Sequence, residues 1–458
     1  MPKYLLSLLL TLRIMALSSQ QSFTLEQSIG YALQNNLELK SKAVAERDAN
    51  AQIREFKAIG IPKVNAFVNY QYFMAVPAQP VQDFISPSIY NVLFDENVIP
   101  RRELGPPETF KFTLFQPHQL VGGIEASSMI FDGAYLYGVK ASKLYRELVA
   151  AEKAVTERDV RVNITKAYLA ALIAQENMTM LQKNQDNLKN ALREVKAMYE
   201  NGFAEKLDVD RMQLSSDNLD IEVIKMQQLI TMSKNILKFH MNFPMTENII
   251  LSDKIDILTS TLNAVNDDIS ENTGVAGRPE YRVIEKGQDL NEIDLKRIKA
   301  GYLPTARAFV NAQASLFRRN LFNNDETGWI PQSAVGLALN IPIYDGGDKN
   351  AKIQRIRLNM EKVAIEKEQF EKSVEMEISN ATLTLSNARS FVSARENALN
   401  ISQSIYDKTL IKFREGVGSS VEVNQAESAL YQAQSMYVNA IYDMLSAYTD
   451  YLKATGKI

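Results

Sequence analysis

The chain has no cysteine. That excludes disulfides, thiolate zinc sites, a thiol nucleophile and a lipid anchor on an N-terminal cysteine. Histidine is nearly as scarce, with only His118 and His240 among 458 residues. A histidine-based metal centre would have to be assembled largely from carboxylates, and no metal is expected. There is neither a Gly-rich phosphate loop nor a Ser-His-acid set, so no enzyme and no cofactor are expected. An excess of positive charge is also missing: the formal charge is −3, which speaks against nucleic acid as a partner. Beyond the first twenty residues no uninterrupted apolar run approaches the roughly 18 residues of a membrane helix.

What is present describes a folded protein, with 46% apolar and 23% charged residues. Residues 1–20 have signal-peptide grammar: Lys3, an apolar core from Tyr4 to Leu12, then small residues from Ala16 to Ser19, with Arg13 out of place. An exported chain without a membrane helix is periplasmic, secreted or a β-barrel of an outer membrane.

The chain is written twice. Pro62–Gln71 aligns with Pro304–Gln313, sharing the proline, Ala-Phe-Val-Asn and the final glutamine. Phe131-Asp132-Gly133 answers Tyr344-Asp345-Gly346, and the stretch from Tyr199 through Gly202 to Asp210 answers that from Phe413 through Gly416 to Asn424. The first copy, 21–243, is the longer one, because residues 77–117 hold seven of the fourteen prolines and read as an enlarged irregular loop. Residues 244–277 read as a linker with short elements, and the second copy runs 278–458.

Each copy switches period. Strands are expected at about 63–73 and 120–131, and again at about 305–316 and 333–344, because apolar and polar residues alternate there. Val64, Ala66, Val68, Tyr70 and Tyr72 lie opposite Asn65, Phe67, Asn69 and Gln71. Segments of about ten residues with this alternation suit a transmembrane barrel, and equally the half-buried sheet of a soluble protein.

After each Asp-Gly the repeat becomes seven. Ile378, Leu385, Val392, Leu399, Tyr406 and Phe413 form one row; Ile164, Ala171, Met178, Gln185, Leu192 and Tyr199 form its counterpart. These are coiled-coil seams, and a helix from Asp132 to Tyr199 would run roughly 100 Å at about 1.5 Å per residue. Antiparallel hairpins over 133–242 and 346–455 follow, with the two glycine-containing segments as their tips. Four strands cannot close a barrel, and open edges in lipid would leave backbone groups unsatisfied, so strands in a membrane require an oligomer.

On this doubled order of strand, Asp-Gly and long helix, with paired tips Gly202…Leu207-Asp-Val and Gly416…Val421-Glu-Val, the chain resembles the TolC-like outer-membrane efflux proteins. The resemblance covers nearly all residues from Phe23 to about Leu452. It implies a mixed α and β membrane protein: a homotrimer with a twelve-stranded β-barrel in outer-membrane lipid and a twelve-helix periplasmic barrel. It implies a duct for small molecules or proteins in a tripartite efflux or type I secretion system. The partners would be a periplasmic adaptor (membrane fusion) protein and an inner-membrane efflux transporter, and the loop 77–117 would lie outside the cell.

The resemblance also assigns residues. Gly202, Phe203, Ala204 and Glu205, with Gly416, Val417, Gly418, Ser419 and Ser420, match tips that meet the adaptor; the plainer reading is that they make the turn. Asp208 and Glu422 match acids at the narrow periplasmic entrance; the plainer reading is a solvated carboxylate in the first turn of a helix. Three departures stand out. Gln425 occupies the place of a second acid, Gly418 that of a latching arginine and Phe413 that of a hydrogen-bonding tyrosine, so a salt-bridged latch would need Arg211, Arg414 or Lys206. The rival reading is a soluble periplasmic coiled-coil structural or adaptor protein.

Overall fold

The computed structural model describes residues 21–113, 116–255, 259, 274–320, 322 and 328–458. The signal-peptide expectation for 1–20 and most of the linker's second half lie outside them. Two compact units divide the chain: a helical one up to Gln52, Ala141–Glu292 and Ile356–Ile458, and a β-rich one of Ile53–Lys140 and Ile293–Arg355.

In the β-rich unit, β2 (Lys63–Tyr72), β5 (His118–Phe131), β7 (Thr305–Arg318) and β8 (Ile330–Asn340) form one antiparallel sheet in the order β2-β5-β7-β8. The register aligns chemistry across strands. Val64 faces Ala126, which faces Val310, which faces Val335; two residues along, Ala66, Ile124, Ala312 and Ser333 line up. Because successive side chains point to opposite faces, the intervening rows share the other face. There Asn65, Glu125, Asn311 and Ala334 are aligned, as are Asn69 with Val121 and Gln313 with Gln332. One face is therefore apolar and the other mixed, with Phe67, Val121 and Phe309 among its polar groups, and among the described residues the apolar one is uncovered: Val68 is 75% exposed and Leu337 79%. Both β2 and β8 are edges.

Two expectations need correction here. Strand β8 stops at Asn340 rather than near 344, since Pro342 has no N–H to give the ladder. The proline-rich 77–117 is not simply irregular. It holds the hairpin of β3 (Gln79–Gln82) and β4 (Thr109–Phe112), and between these strands a helix α3 (Ile85–Asp95). Pro87 sits in the first turn of α3, where a missing N–H costs nothing, and the Asp83 carboxylate accepts from the N–H groups of Ile85 and Ser86 at 3.1 and 2.9 Å.

In the helical unit, β1 (Gln21–Phe23) pairs in parallel with β6 (Ile249–Leu251). Helix α1 (Leu25–Asn35) starts on a capping box between Thr24 and Gln27. Helix α2 (Leu37–Ile59) follows, and α6 (Pro279–Ala300) opens the second copy. The long helices are α4 (Gly133–Glu200), α5 (Lys206–Met241), α7 (Asp348–Arg414) and α8 (Ser420–Thr455). The 68 residues of α4 run roughly 100 Å at about 1.5 Å each. The expected seams bury Ile164, Ala171, Met178, Leu192, Leu385, Tyr406 and Phe413, whereas Tyr199 is 45% exposed. Near that end α4 buries Leu188, Ala191 and Val195 instead. The equivalent Phe413, at the same place in its row, stays buried, so the two hairpins differ at their tips.

A buried charge cluster anchors the start of α6. The Arg278 guanidinium, 4% exposed, donates to Glu377 at 2.7 Å, to Glu280 at 3.2 Å and to the Ala454 carbonyl at 3.3 Å. Arg158 pairs with Glu280 and Asp159.

Candidate functional site

The two hairpin turns are built alike. Helices α4 and α7 end on Gly202 and Gly416, both left-handed at φ +80° and +75°. Phe203 N–H donates to Met198 C=O and Gly202 N–H to Tyr199 C=O; Val417 to Lys412 and Gly416 to Phe413 repeat the pattern. This double bond satisfies the last carbonyls of a helix and requires a residue without a Cβ penalty at positive φ. The returning helices are capped by Glu205, whose N–H donates to Asp208 Oδ2 at 3.2 Å, and by Ser419, whose Oγ accepts from Glu422 N–H at 3.3 Å. Asp208 and Glu422 thus hold the same place in their helices' first turn.

Their environments then diverge. Asp208 also accepts from the Ser420 hydroxyl at 2.5 Å, and Ser420 in turn accepts from Arg211 Nη1 at 3.4 Å. The relay ties α5 to the first residue of α8, and Ser420 is 1% exposed. Glu422 is exposed, and among the described residues its carboxylate has no hydrogen-bond or ion-pair partner. Gln425 is exposed too, on a groove shared with Arg211, Val421 and Asn424.

The candidate bases sort themselves. Arg211 joins the serine relay; Arg414 makes a two-pronged pair with Glu194 of α4 at 2.8 and 3.1 Å; Lys206 has no ion pair among the described residues. The Arg414–Glu194 pair is about half exposed on both sides, so screening leaves it weak. Gly418 is packed against the end of α7: a Cβ there would lie 3.0 Å from the Phe413 nitrogen and 3.2 Å from the Lys412 carbonyl carbon. Phe413 is buried in a cluster with Leu192, Val195, Met212, Val423 and Leu430, which Ala204 partly covers. It closes the tip by packing rather than by a polar bond.

At the turns themselves the apolar groups point out. Phe203 is 80% exposed, Val417 77%, Leu207 51% and Val421 39%. Sequence reasoning singled out both acids but missed Ser420 as their divider. It also missed the buried Glu427, whose carboxylate accepts from the Tyr431 hydroxyl. The available signal was the spacing of Ser420, Asn424, Glu427, Tyr431 and Gln434 at four, three, four and three residues.

Comparison with known proteins agrees with this architecture. The family model "Outer membrane efflux protein" matches residues 298–457. The outer membrane efflux protein BepC of Brucella suis is 26% identical over 165 residues, 36% of this chain and 35% of BepC. The outer membrane protein TolC of Salmonella enteritidis is 21% identical over 332 residues, 66% of this chain and 63% of that TolC. The chain thus spans about a third of one relative and under two thirds of the other. In three dimensions the open-state MtrE outer membrane channel of Neisseria gonorrhoeae superposes with a TM-score of 0.68 at 14% identity, covering 94% of this chain and 88% of MtrE.

Proposed function

We propose that this chain, similar in sequence and fold to TolC-like outer-membrane efflux proteins, works as a homotrimer, the exit duct of a tripartite efflux or type I secretion system. The carrying observation is the sheet: one apolar face, one mixed face and two unpaired edges. In lipid every backbone donor and acceptor needs a partner, and four strands cannot supply this alone. Three copies give twelve strands, with the row of Val64, Ala126, Val310 and Val335 toward lipid and that of Asn65, Glu125 and Asn311 toward water. The rival soluble protein would leave that apolar face in water.

The helices support the same assembly. Exposed apolar residues such as Leu214, Ile221 and Ile224 on α5 and Leu358, Ile365 and Leu383 on α7 leave stripes for neighbouring copies to cover. The two repeats would each contribute two strands and one hairpin. The exposed Phe203, Leu207, Val417 and Val421 offer small apolar knobs to a periplasmic adaptor, which would link the duct to an inner-membrane transporter. Asp208 serves as the tie between hairpins, and Glu422, free of partners, as the carboxylate of the entrance. Three such groups near one axis attract cations and repel one another.

Reconstitution of the purified protein into planar bilayers tests this reading. Discrete conductance steps are expected, and membranes that stay silent under all applied voltages would refute it.

A further inference from the structure

Helix α8 bears a ladder of polar side chains at its tip end. Ser420 binds Asp208 of α5, and Gln434 accepts from Asn184 of α4 at 2.5 Å. Between them, Glu427 and Tyr431 line a groove with Ser215, Asn218 and Leu219 of α5, and the Asn424 side-chain oxygen is buried without a partner. The same row then continues as Val438, Ile441 and Leu445, all buried and apolar. Toward the tips this polar row runs beside the apolar cluster of Met212, Leu219, Val423 and Leu430, whereas beyond Gln434 the row itself is apolar. Apolar burial stabilises whatever the pH, while a polar group buried beside it does so only when it is satisfied.

Glu427 is the one ionisable carboxyl buried in this row. It is 2% exposed, and its one described partner is the Tyr431 hydroxyl on its own helix. The charged groups that share its groove are Glu222 and Lys225 of α5, and Tyr406 of α7 feels its charge. Lys225, the cation of that groove, is already engaged by Glu222 at 2.6 Å. A buried carboxyl without a cation favours its neutral form, and burial pushes Glu427 up from the ordinary carboxylate range, against the hydrogen bond from Tyr431.

We propose that Glu427 is the proton-responsive positioning residue of the inter-hairpin seam: neutral, it lets the apolar tip cluster stay packed; ionised, it draws water between the hairpins and loosens the entrance. The consequence for the duct rests on the exit-duct reading above; the seam chemistry does not. Its sign follows from the raised carboxyl. The closed seam holds a proton that the parted seam releases to solvent. Closure is therefore strongest below the ordinary carboxylate range and is lost as pH rises through Glu427's own higher value.

Hydrogen exchange of the intact, detergent-solubilised protein between about pH 5 and 8, corrected for intrinsic rates, reads the seam directly. Protection over 420–434 should fall about tenfold or more as pH rises, with 438–450 unchanged. Glu427→Gln should remove the dependence. Tyr431→Phe, which deletes the bond favouring the ionised form, should move the midpoint to higher pH. Equal loss in wild type and Glu427→Gln, or no loss in wild type, overturns the proposal. Bilayer conductance on the same samples separates the two ideas: a protection switch without conductance at any pH refutes the duct and keeps the switch.

Discussion

Asp208 and Glu422 occupy the same first-turn position of two similar hairpins, yet only one is free. The difference arises from a single hydroxyl, Ser420, which takes up Asp208 from a position 212 residues away. The family resemblance could mark both acids because each follows a matching glycine turn; it could not mark the tie, which depends on how the hairpins lie side by side. Glu422→Gln is expected to lower the cation preference of the reconstituted pore severalfold in reversal-potential measurements under a salt gradient. Unchanged selectivity would remove Glu422 from the lumen. The turn glycines were legible for a backbone reason. At φ +80° and +75° an L-side chain costs about 1 kcal/mol or more, so Gly202→Ala and Gly416→Ala should each lower stability by about that amount in denaturant titrations. No loss would mean that the turns relax to another conformation.

At the scale of elements, period was the most readable property. Alternation marked all four sheet strands, and the seven-residue row marked the two longest helices, because each exposes a fixed face to packing. The failures have equally local causes. Seven prolines over 77–117 suggested disorder of pattern, but Pro87 sits where a helix tolerates it and Asp83 supplies the cap. The charge cluster at the start of α6 went unseen, since Arg158, Arg278, Glu280 and Glu377 are scattered over 220 positions of sequence. Burial alone would raise the Glu280 carboxyl, but hydrogen bonds from Arg158 and Arg278 outweigh it and hold the group at about 2. Its contribution is therefore present above the ordinary carboxylate range and lost as pH falls toward 2. Acid titration of folding should show this loss in the wild type, and Glu280→Gln should be destabilised at neutral pH with a flatter acid limb. An identical acid limb in both proteins would take Glu280 out of the network's energetics. Arg278→Ala, which removes a buried guanidinium from partly exposed carboxylates and leaves Arg158 on Glu280, is expected to destabilise by about 1–3 kcal/mol in the same assay.

At the scale of the whole molecule, the proposed assembly answers to what the described residues of one chain leave uncovered. Its sheet has an uncovered apolar face and two open edges, and its long helices carry apolar stripes with nothing against them. The sequence could announce this need for copies through the count of strands, four where closure in lipid demands more. It could not give the number of copies, because closure depends on strand tilt and stagger between chains. The most direct test is the mass of the protein extracted from the outer-membrane fraction in mild detergent, measured by light scattering with the detergent contribution subtracted. Three chains per particle, recovered only with detergent, is the predicted result; a monomer in the detergent-free soluble fraction would contradict the account.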